Sequence, residues 1–221
     1  MLVSFLSGSP ALAVSAINRS LAEAVKLPRG VGVPSDTPVG IDEDALVIRK
    51  GAEGTGMEPM RWGFPPRSLT NRNGWNPPIS QVHDLEDRWW RELNRPYLIE
   101  ARHRCLVPVS AFAITQGGRQ KRFFSERGLG FLAAFWRPWD GDTRLVSSPG
   151  ETERRRVCSR LKLFAILAAQ PVEGGRLRSD ALPSVLTHPA DIAEWMAGGE
   201  ESLLNNPDSE GKNIVRAGDL V

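Results

Sequence analysis

Three nearly unbroken apolar runs constrain this chain more than any other feature. They are residues 104–109 (RCLVPV), 130–136 (GFLAAFW) and 161–169 (LKLFAILAA). A strand that is apolar on both faces belongs where both faces are covered. The last two runs therefore predict central strands, and the first a buried one. No run approaches the roughly 18–20 residues that a membrane-crossing helix needs.

The remaining elements are placed by turn and cap signals. Residues 45–50 read as a short strand, followed by a turn over 51–56. A second strand runs out through Arg61-Trp62-Gly63-Phe64-Pro65-Pro66 into a loop-like stretch over 67–80. Gly117-Gly118 marks a hairpin turn before a strand at 121–124. Residues 213–216 read as a last strand. Apolar residues near a 3.6 period predict a helix over 11–27, stopped by Pro28 and Gly30. A short helix is expected over 87–98, where Trp89 and Trp90 read as core. Thr187 is expected to cap a third helix with Pro189 in its first turn, ending at Gly198-Gly199. The charged stretch 140–160 is expected to be an exposed loop. Strands outnumber helices and do not alternate with them. The expected fold is α+β: one domain over 1–199 with a mostly antiparallel or mixed sheet, a few peripheral helices, and a polar C-terminal segment over 200–221.

The first sixteen residues are apolar, but no Lys or Arg precedes Arg19 and Gly8-Ser9-Pro10 interrupts the run, so a secretory signal is not expected. Two cysteines, Cys105 and Cys158, make no disulfide framework, and a cytoplasmic monomer is expected. Three scattered histidines with two cysteines lack zinc spacing. Neither metal nor cofactor is expected.

Charge is unevenly spread although the net value is +2. Residues 88–160 hold 15 basic and 7 acidic side chains, whereas 1–87 hold 8 and 10, and 161–221 hold 5 and 9. Arg supplies 23 of the 28 basic residues. Its planar fork suits phosphate, and a local basic field beside aromatics is the footprint of a nucleic-acid groove. A coding bias toward Arg on solvated faces accounts for the same composition. Arg154-Arg155-Arg156 admits both readings.

Six segments in order then resemble one family. They are Met-x-x-x-Phe at residues 1–5, Arg61-Trp62-Gly63 with its prolines, Arg104-Cys105-Leu106-Val107-Pro108, residues 131–139 (FLAAFWRPW), Phe164–Ala169, and Leu182-Pro183-Ser184-Val185-Leu186 before Trp195. The chain resembles the SRAP family, the SOS-response-associated "peptidase" or abasic-site-processing domain, over nearly its whole length. The resemblance implies a basic groove for single-stranded DNA. It also implies a second-residue Cys whose amine and thiolate close a thiazolidine on the abasic sugar, helped by an Asn, a Glu and a His.

The catalytic positions implied by the resemblance are changed. The Cys is Leu2, in register with Phe5. The Asn is Gln81, and the phosphate-binding Arg near it is His83. The Glu is Ile114 and the His is Arg178. Isoleucine moves no proton, and Arg stays protonated. Leu behind an initiator Met also blocks Met removal. The expectation is therefore a pseudoenzyme that holds single-stranded or abasic-site DNA through Arg61, Trp62, Gln81, His83 and Arg178. In that groove Trp62 would stack on a base and Arg61 would meet phosphate. Two alternatives stay open: residual abasic-site chemistry through the Met1 amine, and an interaction paralogue without DNA binding. Cys105 reads as a buried strand residue, His83 with Asp84 as a weak acid/base pair, His188 as part of a helix N-terminus and His103 as part of a basic surface. No triad spacing supports a protease.

Overall fold

The computed structural model describes residues 2–27, 36–65, 78–82, 88–116, 119–125, 128–139, 144–146, 155–157, 160–168, 182–198 and 214–219. In chain order these form β1 (Leu2–Ser7), α1 (Pro10–Leu21), β2 (Pro38–Gly40), β3 (Asp44–Gly51), β4 (Gly54–Trp62) and β5 (Gln81–Val82). A π-helical turn (Trp89–Leu93), α2 (Arg95–Ile99) and a 3-10 turn (Ala101–His103) lead into β6 (Arg104–Gln116), β7 (Arg119–Ser125) and β8 (Gly130–Trp139). Then come β9 (Arg144–Val146), β10 (Arg155–Val157), β11 (Leu161–Leu167), β12 (Val185–Leu186), α3 (Pro189–Ala197) and β13 (Ile214–Asp219).

The three apolar runs fall on β6, β8 and β11, and the expected α+β class holds. Their pairing closes a barrel. β8 pairs with both β6 and β11, β11 runs parallel to β4, β4 pairs with β3, and β3 returns to β6. Alternate residues then face opposite sides. One buried set includes Val47, Met60, Trp62, Cys105, Val107, Leu132, Ala134, Phe164 and Ile166, contains no helical residue, and fills the barrel. The other includes Ile48, Leu106, Ala133, Phe135 and Ala165, and packs outward on Ile17, Leu98, Ile192 and Trp195 of the helices. Beyond the barrel, β2, β1 and β7 extend the sheet from β6, and β13 adds to β7.

Several expectations change in detail. The first helix ends at Leu21, with Ala22 left-handed at φ 51°. The tail is captured instead: Asn18 Oδ1 accepts from Val25 N at 2.9 Å, and Lys26 pairs with the backbone of Thr55 and Met57. The expected 87–98 helix breaks at Asn94, whose Nδ2 donates to the Trp89 carbonyl at 3.1 Å. Pro96, which has no N–H to donate, starts the next turn. The 140–160 stretch is not wholly loop, because β9 and β10 pair as a ribbon. The third helix is capped by His188 rather than Thr187: its Nδ1 accepts from Ala190 N at 3.3 Å. Gly117 and Gly118 lie outside the described residues, between the paired Gln116 and Arg119.

Candidate functional site

Three chain segments meet at one mouth of the barrel. β1 lies antiparallel to β6 with Leu2 opposite Ile114 and Phe5 opposite Phe112. β5 lies parallel to β11 with Gln81 beside Ile166. The Leu2 backbone N–H donates to Gln81 Oε1 at 2.8 Å. So residues 2, 81 and 114, the positions at which the resemblance placed the Cys, Asn and Glu, come together. All three are buried. Because Leu2 N can only donate, Gln81 must turn its oxygen toward it. Gln81 Nε2 is then left buried without a hydrogen-bond partner among the described residues. His83 and Arg178 lie outside the described residues.

Arg61 and Trp62 end β4 at the same mouth. Gly63, at φ +122°, turns the chain out of the strand and donates to the Phe164 carbonyl at 2.7 Å. Only glycine takes that conformation at little cost. Trp62 corrects the expectation of an open stacking face. Its side chain is 0% exposed, 5.1 Å from the Phe5 ring and stacked within 9° of Phe164 at 6.4 Å. Its indole N–H donates to the Ser80 carbonyl at 2.9 Å. The strand period places Trp62 on the barrel-filling face with Met60, so no ring surface is left for a base. Arg61 donates to the Asp42 carbonyl at 2.8 Å and pairs with Asp44 at 3.1 Å. Its guanidinium is largely engaged within the protein.

At the opposite mouth Glu58 accepts from both Arg49 and Lys162. The Arg49 guanidinium sits 4.5 Å over the Trp136 ring. Next to Trp136 lies His103 at 5.0 Å, then Tyr97 at 4.8 Å, with Arg137 4.7 Å over Tyr97. Sequence reasoning missed this ladder, whose members are spread over residues 49–137. It also put His103 on a basic surface. His103 is instead buried between Tyr97 and Trp136, with Nδ1 3.0 Å from the Trp136 carbonyl. That carbonyl can only accept, so Nδ1 carries the proton in the neutral ring. Beneath the ladder Cys105 is fully covered, and burial pushes its thiol well up, so it is a poor nucleophile. The adjacent Arg104 is also buried, 4.2 Å over Trp195, and desolvation pushes it down to about 10.

Burial lowers the His103 imidazole below its ordinary value, against a raising contribution from the Trp136 carbonyl. Arg102 and Arg49 lower it further, and Glu100 raises it. The unfolded ring therefore takes up a proton before the folded one does. Stability from this group is full above the ordinary pKa of 6.5 and falls as pH drops below it. The urea midpoint of wild type should fall between pH 7.5 and 5.5 by more than that of His103→Gln. Equal falls would show that the ring is not held neutral.

No family model and no curated protein matches the chain. Among solved structures, the chain is similar to a protein from Bordetella bronchiseptica at TM-score 0.59 and 13% identity, covering 99% of both chains. It is also similar to a phage-related protein from Bordetella bronchiseptica at TM-score 0.61 and 14% identity, covering 99% of this chain and 93% of that one. A protein from Bacteroides thetaiotaomicron follows at TM-score 0.50 and 11% identity, covering 83% and 77%. At these identities the likeness is one of fold: proteins from Bordetella bronchiseptica and Bacteroides thetaiotaomicron share this architecture.

Proposed function

We propose that this chain is a SRAP-like module that holds single-stranded or abasic-site DNA without bonding to it. The observation that carries the reading is the meeting of Leu2, Gln81 and Ile114 at one barrel mouth. The resemblance assigns those positions to a nucleophile, a positioning amide and a proton-transfer group. Here two of them are buried aliphatic side chains. An aldehyde placed there meets neither thiol nor carboxylate at those positions, so ring closure has no trap. The arginine-rich middle of the chain supports retained affinity for phosphate.

A labelled single strand carrying one abasic site tests both halves of this reading. Native gels should show binding that weakens steeply with salt, with a log–log slope of roughly −0.7 per neutralised phosphate. Denaturing gels should show no retained band. A denaturant-resistant band would overturn the non-covalent reading. A band trapped only with borohydride and lost on acetylation of the Met1 amine would identify the imine chemistry instead.

One observation favours a second reading, that of an interaction protein without DNA affinity. Trp62 is covered and Arg61 is paired with Asp44, so two residues expected to grip DNA are engaged inside the protein. Absence of binding at low salt would decide for it.

A further inference from the structure

Among the described residues the two mouths of the barrel differ in charge. Around Arg61 stand the exposed Asp44 and the half-buried Glu43, whereas Asp42 is buried and meets Arg61 through its backbone carbonyl. A phosphate backbone approaching that rim meets carboxylates. The opposite mouth carries Arg49, Arg102, Arg137, Arg160 and Lys162 against Glu58 and Glu100. Between the neighbouring β3–β4 hairpin and the segment after α1, the Lys26–Glu53 and Lys50–Glu23 pairs cancel. Arg102 and Arg160 are exposed, and Trp136 and Tyr97 are half-buried among these cations.

We infer that this opposite mouth, and not the rim at Arg61, is where the phosphates of a single strand are held. The inference rests on the single-strand-binding reading above and relocates its contact surface. Glu58 sits between Arg49 and Lys162, fixing both side chains at the barrel end. Trp136 lies under Arg49, and its indole N–H donates to the Arg102 carbonyl at 2.7 Å, which ties the turn carrying Arg102 to β8. Arg137 is held by Asn94 Oδ1 at 2.9 Å, so the row of cations is built on strands and a pinned turn. Cations fixed beside aromatic rings are the composition that single-strand grooves use, and they read no sequence. The ligand class is therefore single-stranded nucleic acid, bound through its backbone with little base preference.

The test uses a labelled oligodeoxythymidylate strand and fluorescence anisotropy across a salt series. Wild type is compared with R102E/R160E, R102K/R160K and R61E. The expected result is that R102E/R160E binds about tenfold or more weakly at low salt. Its salt slope should be shallower by about 1.4, the loss of two phosphate contacts. R102K/R160K should restore most of the affinity, because a point charge also serves a phosphate. Both arginines are exposed, so the fold should survive. Should charge reversal unfold the chain, R102Q/R160Q removes the same charges and is read in its place. Wild-type affinity in R102E/R160E together with loss in R61E would overturn this site and leave the binding reading standing. No binding by wild type at low salt would overturn both.

Discussion

Trp62→Ala is expected to lower the melting temperature by roughly 6–20 °C. Truncating a fully buried Trp costs about 3–5 kcal/mol, and each kcal/mol moves a chain of this size by about 2–4 °C. The loss has three parts here. The ring leaves Phe5 at 5.1 Å and Phe164 at 6.4 Å without a packing partner. The Ser80 carbonyl loses the indole donor and keeps the Ile166 N–H. The void opens inside the barrel, where neighbours on five paired strands cannot easily collapse into it. Thermal unfolding followed by circular dichroism checks this. A Trp62 that worked as a base platform would give the opposite pattern, with a melting temperature near wild type and a large loss of affinity for single strands.

Gly198→Ala should be nearly as damaging, at about 3–5 kcal/mol, for a different reason. Gly198 follows α3 at φ 78° and ψ 171°, a backbone conformation that side chains strongly disfavour. An added Cβ would also lie 2.4 Å from Ala101 Cβ and 2.8 Å from Ala101 Cα. That clash involves backbone, so it cannot be relieved by turning a side chain. It would push the end of α3 away from the 3-10 turn that carries Arg102 and His103. The double variant Gly198→Ala/Ala101→Gly removes the clash between the two methyl groups. It leaves the φ strain and the crowding against the backbone of residue 101. Denaturant titration should recover only part of the loss. Full recovery would show that the methyl clash alone was responsible, and no loss in the single variant would refute the tight approach.

The proposed pairing of function with the opposite barrel mouth also explains why the two arginine-containing motifs behave differently. Arg61 precedes a conspicuous Trp-Gly-Phe-Pro-Pro stretch, yet its fork is engaged by Asp42 and Asp44. Arg102 lies in an unremarkable Ala-Arg-His turn, yet it stays exposed beside the aromatic ladder. Residue type is the same in both places. Each pairs with a carboxylate, Arg61 with Asp44 and Arg102 with Glu100, but the Arg61 side chain is 15% exposed and that of Arg102 73%, so the fold leaves only the second open to a ligand.

Much of the fold is legible in the sequence because burial on both sides of a strand leaves a local mark. Residues 130–136 and 161–169 are almost wholly apolar, and they form β8 and β11, each flanked by paired strands. The helix cap shifts by one residue because Thr187 and His188 are both competent acceptors, and only the path of the chain selects between them. His103 is hard to place from sequence because Arg102 and Arg104 flank it, which suggests a solvated surface. In the fold Arg104 turns inward over Trp195, and His103 slots between two rings. At the candidate site the identities of Leu2, Gln81 and Ile114 already show that the chemistry implied by the resemblance lacks its groups. Their meeting is implied only by resemblance, since nothing in residues 2, 81 and 114 taken separately says that they touch.

What the sequence determined on its own, then, is the apolar central strands β6, β8 and β11, the β3–β4 hairpin and the places of the helices, together with which side chains stand at the positions of interest; the edge strands β1, β2, β5 and β12 left no such mark. Periodicity and composition are local, and a strand's need to bury its faces is written within its own few residues. Only the tertiary structure decided that five of those strands close on one another, that Trp62 fills the barrel, and that Arg49, Trp136, His103, Tyr97 and Arg137 stack in one row. Each of those outcomes depends on pairings between residues tens of positions apart. Their energies arise when remote surfaces exclude water together, and no local pattern carries that information.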